Sequence, residues 1–519
     1  MPRDVTRVLD RPLAERPDAV AVVARSGTWT YRELDAAAER AAGALRALGV
    51  RPGDRVAACL PNDLDVVAAF HGTMRTGAVW VGINAPLAAA EKAHLLTDCG
   101  AAVLLADTST AAQVASLPAR PAGLRQVVVA DRGQVQDDWS RLLAAATTGP
   151  AAAVQPHSPA GIAYTSGTTG LPRGIVHSHH NLLLPGAVLV ADRGYGPDLR
   201  KGDCLPLTIL NLIVLTTLLT AQAGGCCVVM DRRDAAGIAE WVRTHGVTVW
   251  NGVPAQLHDM ARSDEVSRAD LGCLQEVWSG GGDCPDALRD AFHARFGLAL
   301  RATYGLTEAP TVVAIDPVGA ERAEGASGRP LPHLRVRALG DDGGEVGADG
   351  LGEICVSAAE DGPWAGRWTP MLGEWHDGAI VPPVAGALRT GDLGSVDAQG
   401  WLRVRDRRKL VVVRGGANVY PAEVERILLT LPGVQAAAVF GVPDERLGER
   451  VAALVQPDPG AEPSIADLRA GCRRELARYK VPERWAVVHA LPRNAMGKVV
   501  RPALPALLRA REDLSGRPG

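Results

Sequence analysis

The sequence is poor in aromatic side chains, which make up 4% of its 519 residues. A protein that stacks nucleic-acid bases on aromatic platforms needs more of them. Nor is there an excess of one charge: a formal net charge of -3 supplies neither the basic field of a nucleic-acid binder nor an acidic tail. None of the nine cysteines has C-x-x-C spacing, and the count is odd, with Cys226 and Cys227 adjacent. That pattern argues against a disulfide framework or a zinc site and fits reduced thiols in a cytoplasmic protein. The opening residues M-P-R-D-V-T-R-V-L-D contain no apolar h-region, so no signal peptide is expected. Long apolar runs are missing as well. The most apolar window, Leu205 to Ala223, carries Asn211, four threonines and Gln222. It reads as a buried helix, not as a membrane span.

What is present is a long alternation of helix and strand patterns. Residues 30–49 predict a helix, with Thr30 and Glu33 in capping-box register and Gly49 as its stop. A second helix is expected near Asp63 to Thr76. Short apolar strands intervene (D-R-V-A-A-C-L, A-V-W-V-G-I-N, V-L-L-A, G-I-A-Y, C-C-V-V-M), which argues for α/β layers with largely parallel sheets. From about residue 325 the pattern changes to short alternating strands with D-D-G-G and D-A-Q-G turns, the mark of a β-rich subdomain. A final unit begins near residue 410 with L-V-V-V, a glycine pair and the helix P-A-E-V-E-R-I-L-L. The expectation is an α/β body of residues 1–408 and a small α+β domain of residues 409–519.

One stretch carries chemistry openly. Y-T-S-G-T-T-G-L-P-R-G, from Tyr164 to Gly174, follows the apolar strand G-I-A-Y. Its glycines let backbone N–H groups approach a ligand closely, and its hydroxyls add donors, so the loop suits phosphate oxygens. It is neither a G-x-x-x-x-G-K-[ST] nor a G-x-G-x-x-G loop. A bare S-G-T-T-G would serve equally well as a surface turn.

The full stretch resembles the phosphate-binding motif of the adenylate-forming superfamily, which comprises acyl-CoA synthetases, peptide-synthetase adenylation domains and luciferases. The resemblance implies that Thr165, Ser166, Gly167, Thr168, Thr169 and Gly170 hold the β- and γ-phosphates of ATP. Arg173 stands where that family usually has lysine. The likeness extends over nearly the whole chain. Y-G-L-T-E implies Tyr304 against adenine with Gly305 beside it, Thr307 at the α-phosphate, and Glu308 on the Mg²⁺ that accompanies ATP. S-G-G-G-D is similar to the glycine-rich strand end by the adenine, with Gly280, Gly281 and Gly282 leaving room for ring and acyl group. L-R-T-G-D-L supplies Asp392 for the two ribose hydroxyls. D-R-R-K-L-V-V-V-R-G-G implies Arg407 near ribose and phosphate, Lys409 as hinge, and Gly415 and Gly416 beside a coenzyme A channel. P-R-N-A-M-G-K brings Lys498 to the position of the family's catalytic lysine.

The activity implied is ATP-dependent conversion of a carboxylic acid to its acyl-AMP, followed by transfer to a thiol, with the C-terminal domain rotating between the two steps. Coenzyme A is the expected acceptor. The acyl pocket is expected to draw on Ile209, Leu210, Asn211, Trp250, Val253, Trp278, Asp283 and Thr303, and to take a small or aromatic acid. Asp283 could bind an amino substituent or cap the helix that follows. One departure stands out. Acyl-CoA ligases usually read Leu-Pro-x-Phe-His here, and this chain has Thr208 and Ile209 in place of Phe-His. The departure keeps open an adenylating enzyme with another acceptor: a carrier-protein thiol, an amine, or an aryl amine met by an activated oxyacid such as nitrite. A non-catalytic nucleotide-binding protein would lack Lys498, Arg407 or Asp392, and all three are present.

Overall fold

The computed structural model describes residues 1–131, 137–165, 172–494 and 497–515. Among them the strands form four sheets, of nine, eight, four and five strands. The first three belong to a large α/β body and the last to a smaller C-terminal α+β domain.

In the nine-stranded sheet, the strands Val20–Ala24, Cys226–Val229, Arg200–Asp203, Val249–Gly252, Glu276–Ser279 and Leu300–Leu306 run parallel, in that spatial order. The eight-stranded sheet has a parallel group of five that includes Pro159–Thr165 at one end. Two helices lie between the sheets. Tyr31–Ala47 begins at the expected capping box, with Thr30 and Glu33 each satisfying the other's backbone. Its apolar face (Leu34, Ala37, Ala41, Leu45) is buried. Leu64–Thr76 is capped by the Asp63 carboxylate and ends on Gly77 in the left-handed region, and all of its residues are buried. That total burial explains why its sequence shows little polar face. The two helices touch so closely that a Cβ on Gly72 would lie 2.5 Å from the Ala41 Cβ. One hydrophobic core runs through both and joins the facing sides of the two sheets.

The apolar window differs from the single expected helix. Its helix starts at Leu210 and is interrupted by a π-helical turn, Val214–Leu218, before Leu219–Ala223 completes it. No helix among the described residues is long and apolar enough to cross a membrane. The β-rich region forms an antiparallel sheet of Leu334–Leu339, Gly352–Ala358, Leu388–Val396 and Leu402–Arg407. One hairpin from this region, Gly373–His376 with Ala379–Val381, leaves that sheet and pairs with Arg173–Ser178 in the eight-stranded one. In the C-terminal domain the long hairpin Val434–Asp444 and Gly448–Pro457 is flanked by the helices Pro421–Leu428 and Ile465–Glu475 on one face and Leu504–Ser515 on the other. The expected L-V-V-V strand begins two residues late, at Val412, because Arg408–Leu410 form a 3₁₀ turn.

Candidate active site

Several of the predicted site residues, Tyr304, Gly280 and Gly281 among them, lie at or beside strand ends on the side where the C-terminal domain's Lys498 approaches. Tyr304 sits near the end of Leu300–Leu306, and Thr307 to Pro310 turn the chain back into the strand Thr311–Ile315. The turn is so tight that a Cβ on Gly305 would lie 1.9 Å from the Thr311 carbonyl oxygen, so only glycine fits. Thr311 has a φ of 72°, a left-handed conformation that a β-branched residue adopts at a cost of ~1–3 kcal/mol. His177 lies fully buried against the Thr307 backbone; burial pulls its pKa down to about 4, so it packs as a neutral ring.

Asp392, Tyr304 and Arg407 form one cluster. The Tyr304 hydroxyl donates to Asp392 at 2.7 Å, and Arg407 Nε lies 3.0 Å from the other carboxylate oxygen. Asp392 is buried, so its charge is held by these partners. Burial and the adjacent carboxylate push the Tyr304 phenol well above its usual range, which keeps it a neutral donor.

Arg173 begins the strand after the phosphate loop. Its guanidinium meets Glu374 at 2.7 Å and lies 3.9 Å from Glu308. Glu374 reaches it because its strand pairs with Arg173–Ser178, a register that the sequence does not reveal. Thr165 lies at the end of its strand. Ser166, Gly167, Thr168, Thr169 and Gly170 lie outside the described residues.

The C-terminal domain closes the cleft. A Cβ on Gly281 would sit 3.7 Å from Lys498 Cε. The loop that carries this lysine is pinned by Asn494, whose Oδ1 accepts from the Lys498 N–H at 3.0 Å. Lys498 is open to the water of the cleft mouth yet crowded by both domains. Partial burial, followed by repulsion from Arg407, lowers its pKa, opposed by Asp392 and Glu308. Lys409 feels a similar field, lowered by burial and then by Arg407 and Arg173. Gly415 and Gly416 form the two-residue turn of the hairpin Val412–Arg414 and Ala417–Val419, with φ of 57° and 83°, and are exposed. Gly415 donates to the Leu447 carbonyl at 2.7 Å.

Of the expected acyl-pocket residues, Val253 and Thr303 face the cleft glycines, and they are joined there by Asn251, which the sequence reading did not name. Asn251 Oδ1 and Thr303 Oγ1 lie 3.6 and 2.6 Å from a Cβ built on Gly280, and Val253 lies 3.7 Å from one on Gly281. Leu210 fills the space over Gly161, and Ile209 and Asn211 are partly buried beside it. Trp250 is a correction. It shares its sheet face with Gly202 and Val277 and packs with Leu257 and Met260, because strand side chains alternate and its neighbour Asn251 takes the cleft face. Trp278 is on Asn251's face but fully buried. Asp283 is a second correction: it is half exposed and pairs with Arg426 of the C-terminal domain at 3.5 Å. It does not cap the following helix, whose N-cap position is Pro285 without a side-chain bond. The sequence reading missed Glu374, and also Lys201 and Asp203, two charges in R-K-G-D-C whose spacing of two would have put them on one strand face.

Thr208 is buried, and its carbonyl accepts from Trp80 Nε1 at 3.1 Å. That carbonyl would lie 1.7 Å from a Cβ on Gly82, so the backbone here is wedged against the neighbouring strand.

As for metal, no cluster of three or more His, Cys, Asp or Glu side chains suited to an ion occurs among the described residues. A single carboxylate such as Glu308, with its nearest cation 3.9 Å away, fits an Mg²⁺ whose other ligands are phosphate oxygens and water.

Comparison with known proteins identifies the family. The profile of the AMP-binding enzyme family matches residues 9–360, and that of the AMP-binding enzyme C-terminal domain matches residues 423–498. The long-chain-fatty-acid–CoA ligase FadD13 of Mycobacterium tuberculosis is 32% identical, over 92% of this chain and 92% of its own. The fatty acid–[acyl-carrier-protein] ligase ScoC of Streptomyces coeruleorubidus is also 32% identical, over 93% and 92%. The crystal structure of the anthranilate CoA ligase AuaEII with anthranoyl-AMP superposes with a TM-score of 0.89 at 26% identity, covering 99% of both chains. The chain therefore belongs to the AMP-binding enzyme family, and it is an ATP-dependent, AMP-forming ligase.

Proposed function

We propose that the protein activates a small or aromatic carboxylic acid as its acyl-adenylate and passes the acyl group to coenzyme A. The observation that carries this reading is the meeting of Lys498 with Gly281, beside the Asp392–Tyr304–Arg407 cluster. In this reading Asp392 takes the ribose hydroxyls, Tyr304 lies against adenine, and the loop Thr165–Gly170 with Arg173 cradles the phosphates. Glu308 would hold Mg²⁺, which when bound neutralises charge on the β- and γ-phosphates. The acid's carboxylate oxygen forms a bond to the α-phosphorus as the bond to pyrophosphate breaks. Negative charge grows on the transferring phosphoryl group, and the Lys498 ammonium stabilises it there more than in the ground state.

In the second step the C-terminal domain, taken as residues 409–519, turns about Lys409 and brings the Gly415–Gly416 hairpin to the cleft. The thiol sulfur then bonds to the acyl carbon, AMP departs with the bonding pair, and the thiol proton passes to solvent. The cysteine pattern supports a cytosolic setting.

A second reading is a carrier-protein thiol, or an amine, as acceptor. It is favoured by the Thr208–Ile209 segment, where a neighbouring strand wedges the backbone and Ile209 occupies the position at which acyl-CoA ligases usually carry histidine. The test is an assay of pyrophosphate and thioester over a panel of acids, with and without coenzyme A. The primary reading expects acid-dependent pyrophosphate in both cases and a thioester only with coenzyme A. Pyrophosphate without any coenzyme A thioester would favour the second reading. No acid-dependent pyrophosphate at all would reject both.

A further inference from the structure

Beneath the cleft glycines the nine-stranded sheet holds a pair of charges that the adenylation chemistry does not use. Lys201 and Asp203 lie two apart on one strand and project from the same face. Neither side chain is exposed, and Nζ lies 3.9 Å from Oδ2, beyond hydrogen-bond reach. The ammonium has three donors, yet among the described residues its one hydrogen bond is a long one, 3.3 Å to the Gly202 carbonyl. It otherwise sits over the Trp278 indole, 5.2 Å from the ring centre. Asp203 is better served: it accepts from the Leu205 N–H at 2.9 Å, from Thr216 Oγ1 at 3.5 Å and from the Asn251 amide. Thr216 comes from the π-helical turn, a local widening of the helix that recurs at functional sites.

Stability does not account for this pair. A buried ion pair costs desolvation that its mutual attraction seldom repays, and an apolar pair of equal volume is commonly as stable or more so. Its place in the fold offers a different account. Asn251 joins the pair to the cleft, since its Oδ1 is 3.6 Å from a Cβ built on Gly280, with Thr303 Oγ1 2.6 Å from the same point. The next glycine, Gly281, is the one that meets Lys498. A substrate whose carboxylate is held at Lys498 and whose body passes Gly280 would therefore present its far end to Asn251 and the charges behind it.

We propose that Lys201, Asp203 and Asn251 form a polar floor of the acyl pocket, and that the acid carries a compact hydrogen-bonding substituent (hydroxyl, amino or carbonyl) read by that floor. This inference rests on the ligase reading above. A plain hydrocarbon tail would offer no donor to the Asn251 oxygen that faces Gly280, and an unpaired polar group is what lets a binding site discriminate most strongly. Long acyl chains are disfavoured for the same reason, and also because Trp278, the strand partner of Asn251 on the same sheet face, is fully buried.

The test compares matched acids by acid-dependent pyrophosphate release: benzoate with its hydroxy- and aminobenzoate isomers, and butyrate with 3-hydroxybutyrate. The wild type is expected to favour a polar member by about 10²-fold or more in kcat/KM. The double variant Lys201→Met/Asp203→Leu removes both charges together, so no lone charge is left in the core. It is expected to bring the ratio to within about 10-fold of unity while ATP affinity holds. Asn251→Leu, which keeps both charges but removes the amide that donates to Asp203, is expected to cost the polar acids selectively. A wild type that prefers the hydrocarbon members, or variants that fold and keep the wild-type ratio, would overturn the inference while leaving the ligase reading in place. Absence of pyrophosphate with every acid would overturn the ligase reading, and the inference with it.

Discussion

Lys498 of the C-terminal domain lies against Gly281 of the body, so close that a Cβ on the glycine would be 3.7 Å from Lys498 Cε. The contact joins parts of the chain more than two hundred residues apart and puts an ammonium beside the pocket that the glycines open. Replacing Lys498 by Ala is expected to lower acid-dependent ATP–pyrophosphate exchange by about 10²–10³-fold. ATP binding, followed by calorimetry, is expected to persist, because the Asp392–Tyr304–Arg407 cluster is untouched. Exchange at the wild-type rate would remove Lys498 from the reaction.

The same lysine sets a pH dependence. Its pKa is lowered by partial burial and by Arg407. A lowered lysine pKa means that the docked, nucleotide-free state disfavours the proton, and that the cation is lost at lower pH than for a free lysine. Bound triphosphate adds negative charge and draws the proton back. The alkaline limb of kcat/KM for ATP, which reports free enzyme, is therefore expected at lower pH than that of kcat, which reports the complex. Lys498→Arg, charged throughout, is expected to lose the alkaline limb whatever its absolute rate. A limb that persists unchanged in that variant would assign it to another group.

The parts of the candidate site that a sequence reading can reach are those whose residues are local in the chain. Tyr304 to Glu308 and Asn494 to Lys498 are each a few consecutive residues whose spacing survives folding, and the capping box at Thr30 and Glu33 likewise needs only its own turn. What escaped depends on pairing between distant strands. Glu374 reaches Arg173 only because a hairpin from the β-rich region joins the other sheet. Trp250 was misjudged because alternation along its strand, fixed by its neighbours, turns it to the opposite face from Asn251. Asp283 reads as a pocket or cap residue until the C-terminal domain brings Arg426 to it. The π-helical turn has no marker in a run of leucines and threonines.

Arg173 should be sensitive to its clamp. Glu374 holds it at 2.7 Å, while Glu308 stands further off at 3.9 Å. Arg173→Ala removes the cation proposed to meet the phosphates and is expected to lower kcat/KM for ATP by about 10²-fold, whereas Arg173→Lys keeps the charge and is expected within about 10-fold of wild type. Glu374→Gln leaves Arg173 charged but loosens its position, so KM for ATP is expected to rise several-fold with kcat little changed. Steady-state ATP kinetics on the three variants check the ordering. Wild-type kinetics in Arg173→Ala would show that this cation does not meet the nucleotide.

Asp283 and Arg426 bridge the two domains at 3.5 Å, with 50% and 31% of their side chains exposed. A pair so open to solvent contributes at most about 1 kcal/mol, or about 5-fold in the docking equilibrium. Arg426→Ala and Asp283→Asn are each expected to slow pyrophosphate exchange by no more than that factor, and the double variant to slow it no further than either single one. Acid preference, read as the ratio of kcat/KM across the same panel of acids, is expected to be unchanged in both, since neither side chain faces the acyl pocket. Thioester formation from preformed acyl-AMP is expected to hold or rise, because the bridge belongs to the pose in which Lys498 is docked and would break in the proposed rotation that brings in the Gly415–Gly416 hairpin. A changed acid preference in Asp283→Asn would return that carboxylate to the pocket.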